Sequence, residues 1–551
     1  MENSRARFEG GAHWSRPCQG SRARPGALAD RTELSLSSRR RSRPSLLLGR
    51  AAALAATTAL SGCVLDWEKP DATIETPPAF KADKPARSAA PIRAAKDWSQ
   101  GFGSPELTSL VAKALDQNLD IAAAVARIQQ ADATARINSS PLWPSLTMND
   151  IARRTQTPAT ITSATSTSAS TSATTTTGAA SSSALGARRA NFFQMQLTAS
   201  YEIDFWGKNQ DASNAARLLA YASRFDRDVV EISTIASVVN AYFQVLTAED
   251  RLRIAHNNIK IAETVLKAIK ARLDVGTATA LDFSQQDSVV AQQRASVPPL
   301  EQTLRQTKNT LAVLLGVPPE SAVIKGGSLI RLRYPKVAPG LPSELLLRRP
   351  DIAEAEAKLE SSEFSVLQAR AAFFPSIQMT GYYGVQSIAL RSLFRPEAIA
   401  WQIAGNLTQP VFDGYNLQGQ YLLQQGKFAE LAQAYKKQIL TAFSDVENAL
   451  IAIQETTRQL KLQGEAVAAA RRAYEVAEAR LREGTIDIIT LSTTETTLFQ
   501  TEDALAVVRL AHFQAATSLY QALGGGWSGA TRALELAAED GAYESDKGPW
   551  P

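Results

Sequence analysis

Ala271-Arg272-Leu273-Asp274-Val275-Gly276-Thr277 and Ala479-Arg480-Leu481-Arg482-Glu483-Gly484-Thr485 say the same thing twice, 208 positions apart. Each leads on, at the same distance, to a Leu-Gly pair: Leu315-Gly316 and Leu523-Gly524. Upstream, Asp120-Ile121-Ala122 is answered by Asp351-Ile352-Ala353 and Pro144-Ser145 by Pro375-Ser376, now at an offset of 231. The chain is therefore a duplication whose first copy has gained residues. The Ser/Thr tract from Thr155 to Ser183 is the natural place for them, because it lies between Pro144 and Phe205-Trp206-Gly207. A repeat this long predicts two equivalent halves and not an array of units of 20 to 50 residues.

Outward from the two glycines the pattern is helical. Asn209 to Val275 holds no Pro or Gly, and Phe225, Val229, Ile232, Ile235, Val239, Tyr242 and Leu246 fall at alternating steps of three and four, the spacing of a coiled-coil seam. Ile439, Phe443, Val446, Leu450 and Ile453 repeat it within Leu417 to Glu483. Such helices would be roughly 100 Å long. Each turns at Gly276 or Gly484 and returns as a shorter helix, Leu281 to Leu315 and Ile488 to Leu523. Val297-Pro298-Pro299 is expected to kink or break the first return helix.

Four segments have period two instead. Met195 to Ile203, Ile377 to Tyr383 and Trp401 to Leu407 alternate apolar and polar residues, and Leu142 to Ile151 is a poorer example. Aromatic ends (Trp143, Phe192, Phe193, Phe373, Phe374, Tyr382, Trp401) suit the wall of an outer-membrane barrel better than a soluble hairpin. Four strands cannot close a barrel, so several chains must share one.

The N-terminus carries a basic flank (Arg39-Arg40-Arg41, Arg43), a short apolar run and Leu60-Ser61-Gly62-Cys63. That is a cleavable signal, too short to remain as a spanning helix. It resembles the bacterial lipobox, which would leave Cys63 acylated as the first residue; Val64, not Asp, points to the outer membrane. Of 59 basic and 54 acidic residues, the discarded segment holds 11 and 4, so the mature charge is about −2 and the basic surplus that nucleic-acid binding needs is gone. The mature chain keeps one cysteine and two histidines, His256 and His512, at non-equivalent places in the copies. No phosphate loop, nucleophile elbow or metalloprotease helix appears. Glu354 and Glu356 read as a solvated helix face. The sequence reads as a non-enzyme with no cofactor or metal beyond the lipid on Cys63.

Leu346-Leu347-Arg348-Arg349-Pro350-Asp351-Ile352, Ala369-Arg370-Ala371-Ala372-Phe373-Phe374-Pro375-Ser376-Ile377, Tyr201-Glu202-Ile203-Asp204-Phe205-Trp206-Gly207 and Gln409-Pro410-Val411-Phe412-Asp413-Gly414 resemble, in order, the motifs of the outer membrane factor family. These are TolC-like channels, and the lipobox places the likeness in their lipoprotein, NodT-type branch. The resemblance implies a mainly α fold with a membrane β-barrel part: a homotrimer with a twelve-stranded barrel, four strands per subunit, above a long helical periplasmic tunnel. It implies five regions: a removed signal segment (1–62), a first repeat (63–316), a linker or belt segment (317–342), a second repeat (343–524) and a C-terminal tail (525–551). It implies the exit duct of a tripartite, proton-driven RND-type pump for drugs and small toxic compounds, with a periplasmic adaptor and an inner-membrane transporter as partners. A type I polypeptide exit would use the same architecture; a lipid-anchored coiled-coil adhesin would not need duplicated strand pairs.

In such channels the helix turns form the periplasmic end and meet the adaptor. Here that places Arg272, Gly276, Thr277 and Asp282, with Arg480, Arg482, Gly484, Thr485 and Asp487, at the tip. Relatives often carry aspartates six and nine positions after the second glycine, as acidic rings. This chain has Thr490 and Thr493, so the constriction would be lined by hydroxyls unless Asp487 or Glu495 stands in.

Overall fold

In the first copy the chain runs through helices α1 (Pro105–Gln117) and α2 (Leu119–Ser139), strands β1 (Ser145–Thr157) and β2 (Arg188–Ile203), the long helix α3 (Lys208–Asp274) and the return helix α4 (Ala280–Leu314). The second copy supplies α5 (Pro350–Ala371), β3 (Ser376–Ser387), β4 (Ile399–Thr408), α6 (Asn416–Arg482) and α7 (Ile488–Ala522). Both long helices have 67 residues and both return helices 35. The computed structural model describes residues 67–74, 76–77, 80–81, 97–157, 188–335 and 342–527. The signal segment, Cys63, most of the Ser/Thr tract, the end of the 317–342 segment and the chain beyond Trp527 lie outside the described residues. The elements above belong to the compact unit that starts at Lys69.

The strands form one antiparallel sheet in the order β1-β2-β3-β4. Its register lines up Met148, Leu197, Tyr383 and Trp401 in one row and Leu146, Ala199, Gly381 and Ile403 in the next. These are the apolar face, and its large side chains are exposed. The rows between carry Thr147, Thr198, Tyr382 and Gln402, or Asn149, Gln196, Gly384 and Ala400. Tyr382, expected at an aromatic end, thus stands on the polar face. β1 starts at Ser145 and not at Leu142, which ends the 3-10 turn Ser140–Leu142.

The strands become helices at one junction where the motifs meet. Trp206 stacks on Phe374 (4.7 Å between centroids), and its Nε1 donates to the Pro375 carbonyl (2.9 Å). Asp204 accepts from the Gln210 N–H and Asp413 from the Leu417 N–H, both at 2.7 Å, so a carboxylate closes the first turn of each long helix.

α3 is long and apolar enough to cross a bilayer, but 56% of its most apolar window is buried in the protein. Along its length α3 packs on α1, α2, α4, α5 and α7. Trp98, Phe102, Phe243, Leu246, Leu311, Phe513 and Tyr520 close the largest core, with Trp98 stacked on Tyr520 at 4.8 Å. The descending segment after α4 lies against this core with its backbone caught by acids: Lys325 N donates to Glu106, Gly327 N to Glu249 and Leu329 N to Asp250.

Pro298 and Pro299 do not break α4, which is continuous. They leave the carbonyls of Arg294 and Ala295 without a helical donor. Both prolines and both carbonyl-bearing residues are exposed, so water takes the bonds, while Val297 stays buried on the opposite side.

The repeated Leu-Gly has a steric cause. A Cβ on Gly316 (φ +70) would lie 2.0 Å from the Gln117 carbonyl oxygen, and one on Gly524 (φ +86) 2.0 Å from that of Arg348. The next residue then locks each joint: Asn118 Nδ2 donates to the Leu314 carbonyl (2.8 Å) and Arg349 Nη1 to that of Ala522 (3.0 Å). Gly276 and Gly484 have positive φ but nothing within 4 Å. Gly276→Ala therefore pays only the left-handed penalty, about 1–2 kcal/mol, whereas Gly316→Ala also forces two backbones apart. In thermal unfolding followed by circular dichroism, Gly316→Ala and Gly524→Ala should lower the midpoint well beyond Gly276→Ala; equal shifts would refute the close-approach reading.

The paired helix turns and the open sheet as candidate functional sites

Both turns end their long helices in the same way. Thr277 N donates to the Arg272 carbonyl (2.8 Å) and Thr485 N to that of Arg480 (3.0 Å), and each threonine hydroxyl donates to that carbonyl as well (3.1 Å). The two turns are tied together: Arg272 Nη2 donates to the Arg482 carbonyl (2.9 Å). Arg482 also pairs with Glu478 on its own helix. Arg480 is exposed, as are both glycines and both threonines.

The starts of the return helices use one pair of residue types in opposite order. Thr279 caps α4 and Asp282 closes a capping box with it, its Oδ2 accepting from Thr279 N (2.8 Å). In the second copy Asp487 is the cap, accepting from Thr490 N (3.0 Å) and from the Thr490 hydroxyl (2.5 Å). These bonds hold the Asp487 carboxyl below its ordinary range, the hydroxyl contributing most. Pairing residues by chemical type across the turns hid this exchange of Thr and Asp, which appears only when positions are aligned.

Thr490 and Thr493, expected to act together, therefore differ. Thr490 serves the cap, whereas Thr493 lines a groove of about 710 Å³ between α4 and α7 with Ser284, Gln285, Ser492, Thr496 and Gln500. No charged side chain lines that groove. Glu495 cannot stand in for a pore carboxylate, because it is 0% exposed and points into the core formed by Ala262, Val290, Tyr474 and Leu498. Its Oε2 accepts from Gln286 Nε2 (3.2 Å), and burial pushes its pKa up to about 7 against that bond.

Of the residues passed over as catalytic candidates, Glu354 and His512 have structural work. Glu354 pairs with Lys358 one turn on. His256 is exposed on α3, whereas His512 is buried and stacked on Tyr334 at 3.9 Å.

The second candidate is the sheet, with one apolar exposed face and, among the described residues, β1 and β4 each paired on one side only. The outer membrane efflux protein family model matches residues 110–317 and 341–525. The chain belongs to that family. It is 37% identical over 433 residues to the pyoverdine export outer membrane protein OpmQ of Pseudomonas aeruginosa, covering 78% of this chain and 88% of that one. The probable outer membrane lipoprotein SilC of Salmonella typhimurium is 28% identical over 477 residues, covering 85% and 96%. The open-state MtrE outer membrane channel of Neisseria gonorrhoeae superposes with a TM-score of 0.72 at 26% identity, covering 84% and 97%. The protein is an outer-membrane efflux channel with a TolC-like fold and not an enzyme. In efflux systems such channels are trimeric and work with adaptors and inner-membrane transporters.

The split between Thr490 and Thr493 makes them separable. Thr493→Asp should raise cation over anion selectivity several-fold in planar-bilayer recordings without loss of folding. Thr490→Asp should instead set a second carboxylate against Asp487 and weaken the first turn of α7 by about 1 kcal/mol. An unchanged reversal potential for Thr493→Asp would place this groove away from the conducting path.

Proposed function

We propose that this channel is the passive exit of a tripartite pump that carries small organic compounds, drugs and toxic molecules among them, from the periplasm to the exterior. The observation that carries the reading is the sheet: one apolar face, one polar face and two open edges, each strand pair running directly into a hydrogen-bonded helical hairpin. In hydrocarbon an open edge is untenable, so three copies closing a twelve-stranded barrel is the economical solution. A homotrimer would put the polar rows inside and the apolar rows against lipid.

The tied turns at the far ends of α3 and α6 suit docking of a periplasmic adaptor, with Arg272, Gly276, Thr277, Asp282, Arg480, Arg482, Gly484, Thr485 and Asp487 as the contact set. A proton-driven, RND-type inner-membrane transporter would supply the energy. The likeness to a pyoverdine exporter supports a small-molecule cargo over the type I polypeptide alternative. Lipid on Cys63 would anchor the chain on the periplasmic side of the outer membrane, a reading supported by the lipobox pattern.

Co-expression with an adaptor and a proton-driven transporter, in a strain lacking its own channels, should lower accumulation of a fluorescent small-molecule substrate. Peptide export with an ATPase partner, and none of the dye, would move the assignment to secretion. Purified protein should have the mass of three chains in detergent, and a stable monomer with a folded sheet would refute the shared barrel. Cys63→Ala, routed by a substitute cleavable signal, should lose acylation yet stay membrane-embedded; full release as a soluble protein would refute the barrel as an anchor.

A further inference from the structure

Near the turns, the two halves of the chain are joined by a polar contact inside an apolar core. Gln286 of α4 and Glu495 of α7 are both 0% exposed. Gln286 Nε2 donates to Glu495 Oε2 (3.2 Å) and to the Ala262 carbonyl of α3 (3.3 Å), and Gln286 Oε1 accepts from the Ser492 hydroxyl (3.2 Å). Glu495 Oε1 has no hydrogen-bond partner at all. A carboxylate left half-bonded in such a place is costly, whereas a carboxylic acid is tolerable because one oxygen then carries a proton.

The neighbours offer the charge no compensation. α3 presents Ala262, Val265 and Ile269, and its nearest acid, Glu263, is paired with Arg294 of α4. α6 presents Ala470, Tyr474 and Ala477; Glu478 beyond them is paired with Arg482. The Tyr474 phenol is pushed up by burial and then by the Glu478 and Glu495 charges, so it stays neutral. On α7 itself, Asp487 is spent on the cap and Glu502 is paired with Arg471 of α6.

We propose that Glu495 is a proton-operated lock between the two helical hairpins, holding the inner mouth of the channel shut while protonated and loosening it when ionised. The proposal rests on the reading of the turns as that mouth. The sign follows from burial: the carboxyl is raised from its ordinary 4.5 to about 7, so its contribution is complete below about 4.5 and is lost as pH climbs through 7. Mildly acidic conditions favour the closed seam, and alkaline conditions favour its opening.

Two measurements on the reconstituted trimer test this across pH 6 to 8. Hydrogen exchange of the first turns of α7, corrected for intrinsic rates, and open probability in planar bilayers should both rise severalfold with a midpoint near 7. Glu495→Gln, a neutral isostere, should keep the low-pH values throughout. Gln286→Leu removes the bond that favours the ionised form and should move the midpoint upward, which a merely structural role would not do. A wild-type pH response retained in Glu495→Gln, or no pH response of exchange in the wild type, overturns the lock. A response in exchange without one in conductance would keep the lock and overturn the placement of the mouth.

Discussion

Hydrocarbon cannot hydrogen-bond, and this makes the two open edges of a four-stranded sheet the governing constraint on the molecule. The register that gathers Met148, Leu197, Tyr383 and Trp401 on one face fixes which side lipid must cover. The other side must then be wet. With the sheet set in the membrane, each strand pair has to hand its chain to a helix on the same side. Two hairpins that leave one sheet and are tied at their far ends must also have equal reach. The 67- and 35-residue helices of both copies meet that requirement.

The return helices close this arrangement at a second joint, where glycine is irreplaceable for space as well as for φ. At Gly316 and Gly524 the preceding backbone comes so near that no side chain fits, and the residue after that backbone donates to the last turn of the return helix. The copies solve the donor differently. Asn118 does it as a neutral group that also caps α2. Arg349 does it as a buried cation, which obliges Asp351 and Asp445 to stand beside it at 2.6 and 3.1 Å. Burial alone would raise the Asp351 carboxyl, but the guanidinium outweighs it and holds the group below its usual range. The acid of Asp351-Ile352-Ala353 therefore has charge work that Asp120 of the first copy does not share.

Much of this was legible in the chain because period and repetition survive without tertiary context. The seam from Phe225 to Leu246, the alternation from Met195 to Ile203 and the paired Leu-Gly landmarks each depend on neighbours in sequence. What failed depended on neighbours in space. Pro298 and Pro299 read as a kink or break because local rules assume the freed carbonyls are costly, and no break occurs where water can reach them. Tyr382 read as a girdle aromatic by type, although its parity in β3 puts it with Thr380. Glu495 read as a spare pore acid because it lies five residues beyond Thr490, while the helix turns it inward onto Gln286.

The exchange of Thr279 and Asp282 for Asp487 and Thr490 shows what duplication preserves at the turns. Each return helix needs its first N–H groups satisfied, and a Thr–Asp pair three residues apart does this in either order. The interaction persists while the acid moves by about one helical turn, near 5 Å. In both copies the negative charge stays beside the positive end of the helix and is engaged there. Neither acid is then free to concentrate cations in the groove between α4 and α7, whose lining is hydroxyl and amide apart from Ile489. The absence of charge from that groove therefore follows from two local requirements, capping and core burial, that between them engage Asp282, Asp487 and Glu495.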